Sequence, residues 1–275
     1  MAELLQTPEI LELFGEAAEC RSDGACPPEQ NMQWEWERLQ ACALQPTVPP
    51  LLRLYAWHPW AISLGIHQSD SIVDTERCRM HGIAVVRRPT GGRAVLHAEE
   101  VTYAVIVRLS AGRSHHLIYR LIHERIAAAL KRLIGYTVDL APSHTDFRPL
   151  WQRPFAAACF SSSARWEISY AGRKLVGSAQ RLLNGVVLQH GSILLGPAHV
   201  LIADLLHFPS EAHREAFRQE LVRRSTTVYD ITGHRFTYHD VAAALWESFC
   251  GIPLCQQQTA PPDQLTSSNI GSSSV

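Results

Sequence analysis

Residues 165–195 read "RWEISYAGRKLVGSAQRLLNGVVLQHGSILL". Ala171-Gly172 and Asn184-Gly185 are both two-residue hairpin signals, because a type I′ turn needs positive φ at its two central positions. Three strand-like runs joined by two tight turns predict a three-stranded antiparallel meander. With Asn184-Gly185 as the loop, Gln180 falls opposite Gln189 and Ser178 opposite Gly191. Gly177, Ser178 and Ala179 form a strip of small side chains on the middle strand. Small residues there cost packing and β-propensity, which a strand bears more readily where something else fills the space. Lys174 shares that strand, two places past a turn. Taken alone, it reads as an ordinary surface lysine.

Outward from the meander, "LLRLYAW", "AISLGI", "IAVVRR" and "VTYAVIV" are short β-branched or aromatic runs and predict further strands. "SHHLIYRLIHERIAAALKRLIGY" sets Leu117, Leu121, Ile122, Ile126, Ala129, Leu130 and Leu133 on one broad face. Lys131 and Arg132 suit its last turn and Gly135 its stop. Thr237 and Asp240 have capping-box spacing, which predicts a helix to about Phe249. "AHVLIADLLHF" should be helical and end before Pro209. "EQNMQWEWERLQACA" is a further helix, whose Met and Trp side reads as core rather than site. Helices mixed with mostly antiparallel strands predict an α+β fold, a mixed sheet flanked by helices.

The chain has 275 residues, 46% of them hydrophobic and 19% charged, the balance of a globular protein with a sizeable core. Twenty-five basic against 26 acidic residues leave a formal charge of −1, which argues against a nucleic-acid partner. No apolar run approaches a membrane span, and the acidic start lacks a basic n-region. Seven cysteines, at 20, 26, 42, 78, 159, 250 and 255, are an odd count that suggests free thiols in a reducing, cytoplasmic setting. Residues 1–28 read as an N-terminal extension, with "RSDGACPP" as a linker. Residues 29–255 read as one catalytic-sized domain. The Ser-, Gln- and Pro-rich 256–275 reads as a disordered tail.

Two further segments hold polar chemistry. In "VVRRPTGGRAVLHAEEVTYAVIV", residues 85–107, a strand runs into Thr90, Gly91 and Gly92 and then a second strand. Arg87, Arg88 and Arg93 ring the turn and His97 follows. The glycines either allow a turn with positive φ or let backbone N–H groups approach a ligand. Both readings stay open, and a P-loop is excluded because no Gly-Lys-Ser/Thr follows. In "AAACFSSS", residues 156–163, Cys159 is either a small buried hydrophobe or a nucleophile in a loop. No set among Cys78, His81, His115, His116, His234 and His239 has zinc spacing, so no metal is expected.

Together, "RRPTGGRAVLH…E-TYAVIV", "CF…ARWEISYAGRKLVGSAQR" and "VVLQHGSILL" resemble the biotin/lipoate protein ligase superfamily. The upstream "NMQWEWE" and "LRLYAWHPWAISLGIHQS" are similar to features of the same family. Within it, the chain most resembles the cysteine-dependent octanoyltransferases of lipoate biosynthesis, over about 31–196. The resemblance implies a ligase-like catalytic domain with an acyl tunnel, and transfer of octanoyl from acyl carrier protein to a lysine of a lipoyl domain or glycine-cleavage H protein. It implies Cys159 as the thioester nucleophile and Lys174 as the lysine beside it. It further implies that Arg88, Thr90, Gly91, Gly92, Arg93 and His97, with Gly177, Ser178, Ala179, His190, Gly191 and Ser192, line the acyl pocket. No cofactor is implied.

Two positions depart from the family pattern. Ala98 stands where an Asp usually follows the motif histidine, so any orienting role toward His97 is lost or passes to Glu99. Ala104 stands where Ser usually follows "TY". Three alternatives remain open: an ATP-dependent lipoate–protein ligase, an amidotransferase moving octanoyl or lipoyl between protein lysines, and an acyl-binding regulatory module without catalysis.

Overall fold

A computed structural model describes residues 18–141, 167–251 and 254. Its elements in chain order are β1 (Glu19–Cys26), α1 (Pro28–Leu44), β2 (Leu51–Trp57), β3 (Ala61–Leu64), α2 (Thr75–Met80), β4 (Ala84–Arg87), β5 (Val95–His97), β6 (Glu100–Arg108) and α3 (His115–Ile134). Then follow β7 (Asp139–Ala141), β8 (Glu167–Tyr170), β9 (Arg173–Leu183), β10 (Val186–Leu194), α4 (Ile202–Leu205), α5 (Glu211–Arg224), α6 (Val228–Thr232) and α7 (Tyr238–Cys250).

The meander forms as its turn residues require. Ala171 and Gly172 join β8 to β9, and Asn184 and Gly185 join β9 to β10, all four with φ between 46° and 77°. The register pairs Gln180 with Gln189 and Ser178 with Gly191. This meander is part of a seven-stranded sheet of order β1-β2-β6-β10-β9-β8-β7, antiparallel except for the β1–β2 pair. A three-stranded sheet, β4-β3-β5, is built from the Arg- and Gly-rich segment and the strand before it.

Each face of the large sheet is covered. α3 and α7 lie on one face, where Ile118, Ile122, Ile126, Leu245 and Phe249 pack against Val105, Val187 and Ile193. α3 starts on Ser114, whose hydroxyl accepts from Leu117 N, and stops at Gly135 with φ 76°. α7 carries the expected capping box between Thr237 and Asp240. α1 lies on the opposite face, on Leu51, Ala104, Ile106 and Leu188. The small sheet has its own core, shared with α4 and α5 through Leu205, Phe217 and Leu221.

Two expectations are corrected. The stretch read as a linker is mostly β1, which pairs in parallel with β2 from Glu19 to Cys26 and carries a register shift at Gly24. Its alternation is masked in the sequence because β1 is an edge strand with half-buried side chains throughout most of its length. The helix expected over 198–208 is a 3₁₀ turn, Pro197–Leu201, followed by the single-turn α4. The expected tail, 256–275, and Cys159 both lie outside the described residues. No helix among the described residues is long and apolar enough to cross a membrane.

Candidate active site

The α1-side face of the large sheet carries two cross-strand rows. One runs Tyr55, Thr102, Ser192, Gly177, and the next runs Arg53, Ala104, His190, Ala179. Side chains on one face of a sheet recur every second residue, so this register alone gathers them. Gly177, Ala179 and Ala104 put almost no volume on that face, and the sheet is hollow there. The small sheet and α1 flank the hollow and narrow it to a cavity lined among others by Met32, Tyr55, Trp57, Arg88, Val95 and His97.

The glycines of β9 and β10 serve close approach. A Cβ built on Gly191 would stand 2.5 Å from Gly177 O and 2.8 Å from Tyr103 Cε1. Behind this point Tyr103 Oη meets Ser178 Oγ at 2.7 Å and accepts from Gln189 Nε2 at 3.1 Å. His123 Nε2 reaches Ser178 Oγ at 2.8 Å. Burial pushes the Tyr103 phenol up to about 12, so it stays neutral and keeps its donor.

The polar groups of the cavity wall are organised by Arg88, which is buried. Its guanidinium donates to Ser63 O and Ser63 Oγ, to Thr90 Oγ1, and to the carbonyls of Gly91 and Arg93. The two hydroxyls it feeds each meet a histidine. Ser63 Oγ lies 2.7 Å from His97 Nε2, and Thr90 Oγ1 lies 2.6 Å from His190 Nε2. Each histidine meets a buried carboxylate through Nδ1: His97 meets Glu100 Oε1 at 2.7 Å and His190 meets Glu35 Oε2 at 2.7 Å. A carboxylate accepts only, so Nδ1–H donates to it; in the neutral form of the ring, Nε2 then accepts from the hydroxyl. Arg88 thus heads two parallel chains of hydroxyl, imidazole and carboxylate.

The two carboxylates differ in their surroundings. Burial pushes Glu35 up, but His190, the Tyr55 hydroxyl donating at 2.7 Å, and Arg53 outweigh it and hold the carboxyl below the usual range. Glu100 Oε1 collects three donors, His97 Nδ1, Ser192 Oγ at 2.8 Å and Thr102 Oγ1 at 2.6 Å, while its Oε2 is buried with no partner among the described residues. Trp57 donates to Thr102 Oγ1 at 2.8 Å and stacks on the His97 ring at 4.0 Å, fixing that imidazole from its face. The orienting role expected of Glu99 belongs to Glu100. Glu99 turns outward, accepting from Ala198 N at 3.2 Å and pairing with Arg235.

Lys174 is brought to this face by a β-bulge. Consecutive strand residues point to opposite faces, yet Leu175 and Val176 both sit in the core under α3. The β8–β9 register shifts between Ile168 and Ser169, leaving one extra residue in β9 at this point. Beyond the bulge Lys174 therefore shares the face of Gly177 and Ala179. It is 7% exposed, with Nζ 2.5 Å from Glu167 Oε1.

Of the residues expected to line the pocket, Arg88, His97, Gly177, Ser178, Ala179, His190, Gly191 and Ser192 border the cavity. Thr90, Gly91, Gly92 and Arg93 do not; they frame it. Thr90 holds His190, and the Gly91 and Arg93 carbonyls hold Arg88. Gly92, at φ 100°, lays its carbonyl against Gly65, where a Cβ would be 2.2 Å from that oxygen. Sequence reasoning missed Met32, Glu35, Tyr55, Trp57, Ser63 and Glu100. For Glu35 a signal existed: Asn31 and Glu35 interrupt the buried face of α1 that Met32, Leu39 and Cys42 otherwise make apolar.

The fold is a mixed α+β domain with a cavity on its α1 face. A family model described as the lipoyl protein ligase A/B catalytic domain matches residues 27–250, and the chain belongs to that family. Among curated relatives, it is 33% identical to octanoyltransferase LipM of Geobacillus kaustophilus, over 82% of each chain. It is 40% identical to octanoyltransferase LipM of Kyrpidia tusciae, over 74% of this chain and 75% of the relative. Among solved structures, a chain of a bi-partite lipoate protein ligase system from Thermoplasma acidophilum superposes with a TM-score of 0.64 at 19% identity, covering 85% of this chain and 82% of that one. A lipoate-protein ligase A bound with ATP gives 0.62 at 21% identity, covering 85% of each. These two likenesses establish the fold.

Proposed function

We propose that the chain transfers an octanoyl group from octanoyl-acyl carrier protein to a lysine amine of a lipoyl domain or H protein, by way of a thioester on Cys159. The observation that carries this reading is the hollow itself, a narrow cavity floored by Gly177 and Ala179 on the strand that bears Lys174. The similarity to octanoyltransferases over most of the chain supports it.

In the first step the Cys159 thiolate attacks the carbonyl carbon of the octanoyl thioester. The carbon–sulfur bond to the carrier breaks and the carrier leaves as its thiolate. One thioester replaces another, so the step is nearly balanced. In the second step the lysine amine of the acceptor attacks, loses a proton and expels the Cys159 thiolate, leaving an amide. A free thiol has a pKa of about 8.5, and a neighbouring cation such as Lys174 favours its thiolate. Burying about seven CH₂ and CH₃ groups at ~0.8 kcal/mol each contributes roughly 5–6 kcal/mol to holding the chain.

The test is intact-mass spectrometry after mixing the protein with octanoyl-acyl carrier protein. A gain of one octanoyl group, removed by hydroxylamine and absent in Cys159→Ala, is the expected result. A Cys159→Ser protein with full transfer activity would sink the mechanism. Loading from an octanoylated lipoyl domain but not from the carrier would instead make the protein an amidotransferase.

A further inference from the structure

A second space lies next to the cavity. It is an open groove between α1 and β4, bordered by Gln33, Trp36, Ile66, Val85 and Pro89. Among the described residues, Met32 and Arg88 are the two that border both the narrow cavity and this groove. They are the partition between them.

The two halves of the partition differ in stiffness. Arg88 is fixed by hydrogen bonds to Ser63, Thr90, Gly91 and Arg93. Met32 is 6% exposed in the first turns of α1 and carries an unbranched thioether with three rotatable bonds, the kind of side chain that fills irregular gaps.

The order along β9 tells which end of the cavity this is. Lys174 comes first. Gly177 to Ala179 floor the cavity. Arg181 follows, donating to Pro89 O at 2.6 Å and lying over the Trp36 ring at 4.7 Å, so it stands beside the open groove. The partition is therefore at the end of the cavity remote from Lys174.

We propose that Met32 is the stop for the tail of the acyl chain and sets the longest chain the site accepts. This rests on the acyl-transfer reading, with the acyl carbonyl at the Lys174 end. The last methyl group of the chain would abut the Met32 side chain, and longer chains would have to displace it. Truncation to Ala removes the partition's movable half and opens the cavity into the groove. A larger, stiffer side chain there shortens the cavity.

The experiment offers the full-length protein an equimolar mixture of acyl carrier proteins bearing six-, eight-, ten- and twelve-carbon chains. Intact mass reads the share of each acyl group loaded, a ratio that does not depend on how much protein is folded. One methylene in an apolar pocket is worth about tenfold in discrimination. We expect Met32→Ala to raise the ten- and twelve-carbon share relative to octanoyl by about tenfold or more, Met32→Phe to shift loading toward six carbons, and Met32→Leu to keep the wild-type profile. If Met32→Ala loads too slowly to read, thermal stabilisation by free octanoate, decanoate and dodecanoate reads the same preference. Wild-type octanoyl loading with an unaltered length profile in both Met32→Ala and Met32→Phe overturns the proposal and leaves the acyl-transfer reading standing. Absence of any acyl loading or fatty-acid binding in the wild type overturns both.

Discussion

Glu100 Oε1 lies 2.7 Å from His97 Nδ1 and fixes the tautomer of that ring, leaving Nε2 to accept from Ser63. In the proposed reaction the acceptor lysine, whose reference pKa is about 10.4, must lose a proton, and we assign that proton to His97, which borders the cavity. His97→Ala is expected to lower turnover by about 100-fold or more, the usual range for a general base. Glu100→Gln should act as a positioning change: it lowers kcat with little change in KM and moves the pH profile. Rapid-quench measurement of octanoyl transfer from the loaded enzyme checks both. A Glu100→Gln profile superposing on the wild type refutes the orienting role.

Glu35 makes stability pH-dependent. Its carboxyl is held below the ordinary value of 4.5 in the folded protein, so the unfolded chain binds the proton more readily. The stabilisation is fully present above the unfolded pKa and is lost as pH falls through the folded one. Melting temperature should fall on acidification below about pH 4.5. In Glu35→Gln that acid limb should be shallower, while the protein is less stable at pH 7. Thermal melts from pH 3 to 7 measure this.

Gly191→Ala should be strongly destabilising. The new Cβ would meet a backbone oxygen and the Tyr103 ring, both held in a well-packed sheet. Overpacking of this kind costs about 1–3 kcal/mol and more where backbone must move. Denaturant midpoints report the loss. A midpoint equal to wild type would show that β9 and β10 separate freely at this point.

Lys174 and Glu167 form a buried ion pair, each side chain 8% exposed. Breaking a buried ion pair by removing one partner costs about 3–5 kcal/mol. Glu167→Ala should lower stability by that order, whereas Lys174→Met should cost less because the carboxyl can take up a proton. Lys174→Met should nevertheless abolish octanoyl loading of the folded protein. Chemical denaturation and intact mass on the same samples separate the two effects.

Arg88→Lys should not be conservative. The planar guanidinium reaches Ser63, Thr90, Gly91 and Arg93 together, and an ammonium has three donors and no fork. Each buried acceptor left unpaired costs about 1–3 kcal/mol. Both histidine chains should loosen at once, visible as broadened imidazole proton resonances for His97 and His190 together.

Much of the frame was legible in advance. Ala171-Gly172 and Asn184-Gly185 prescribe two tight turns by local backbone sterics, and the turns set the register of Ser178 against Gly191. The capping box at Thr237 and the stop at Gly135 are equally local. β1 was not legible, because an edge strand with half-buried side chains lacks the alternation that marks a strand. The 3₁₀ turn at Pro197–Leu201 was missed because its apolar residues have helical spacing but pack into the core of the small sheet.

The sequence by itself determined the turns, the caps, the meander's register and the set of small residues that hollow one face of it. Those follow from φ preferences and from the two-residue period of a strand, which act over neighbouring positions. The tertiary structure alone decided that Glu100 rather than Glu99 meets His97, that Glu35 meets His190 across 155 positions, and that Arg88 feeds both chains. It also decided that an extra residue in β9 turns Lys174 to the cavity face. These depend on which strands lie side by side and on a one-residue slip, and a slip of one residue reverses the face of every side chain beyond it.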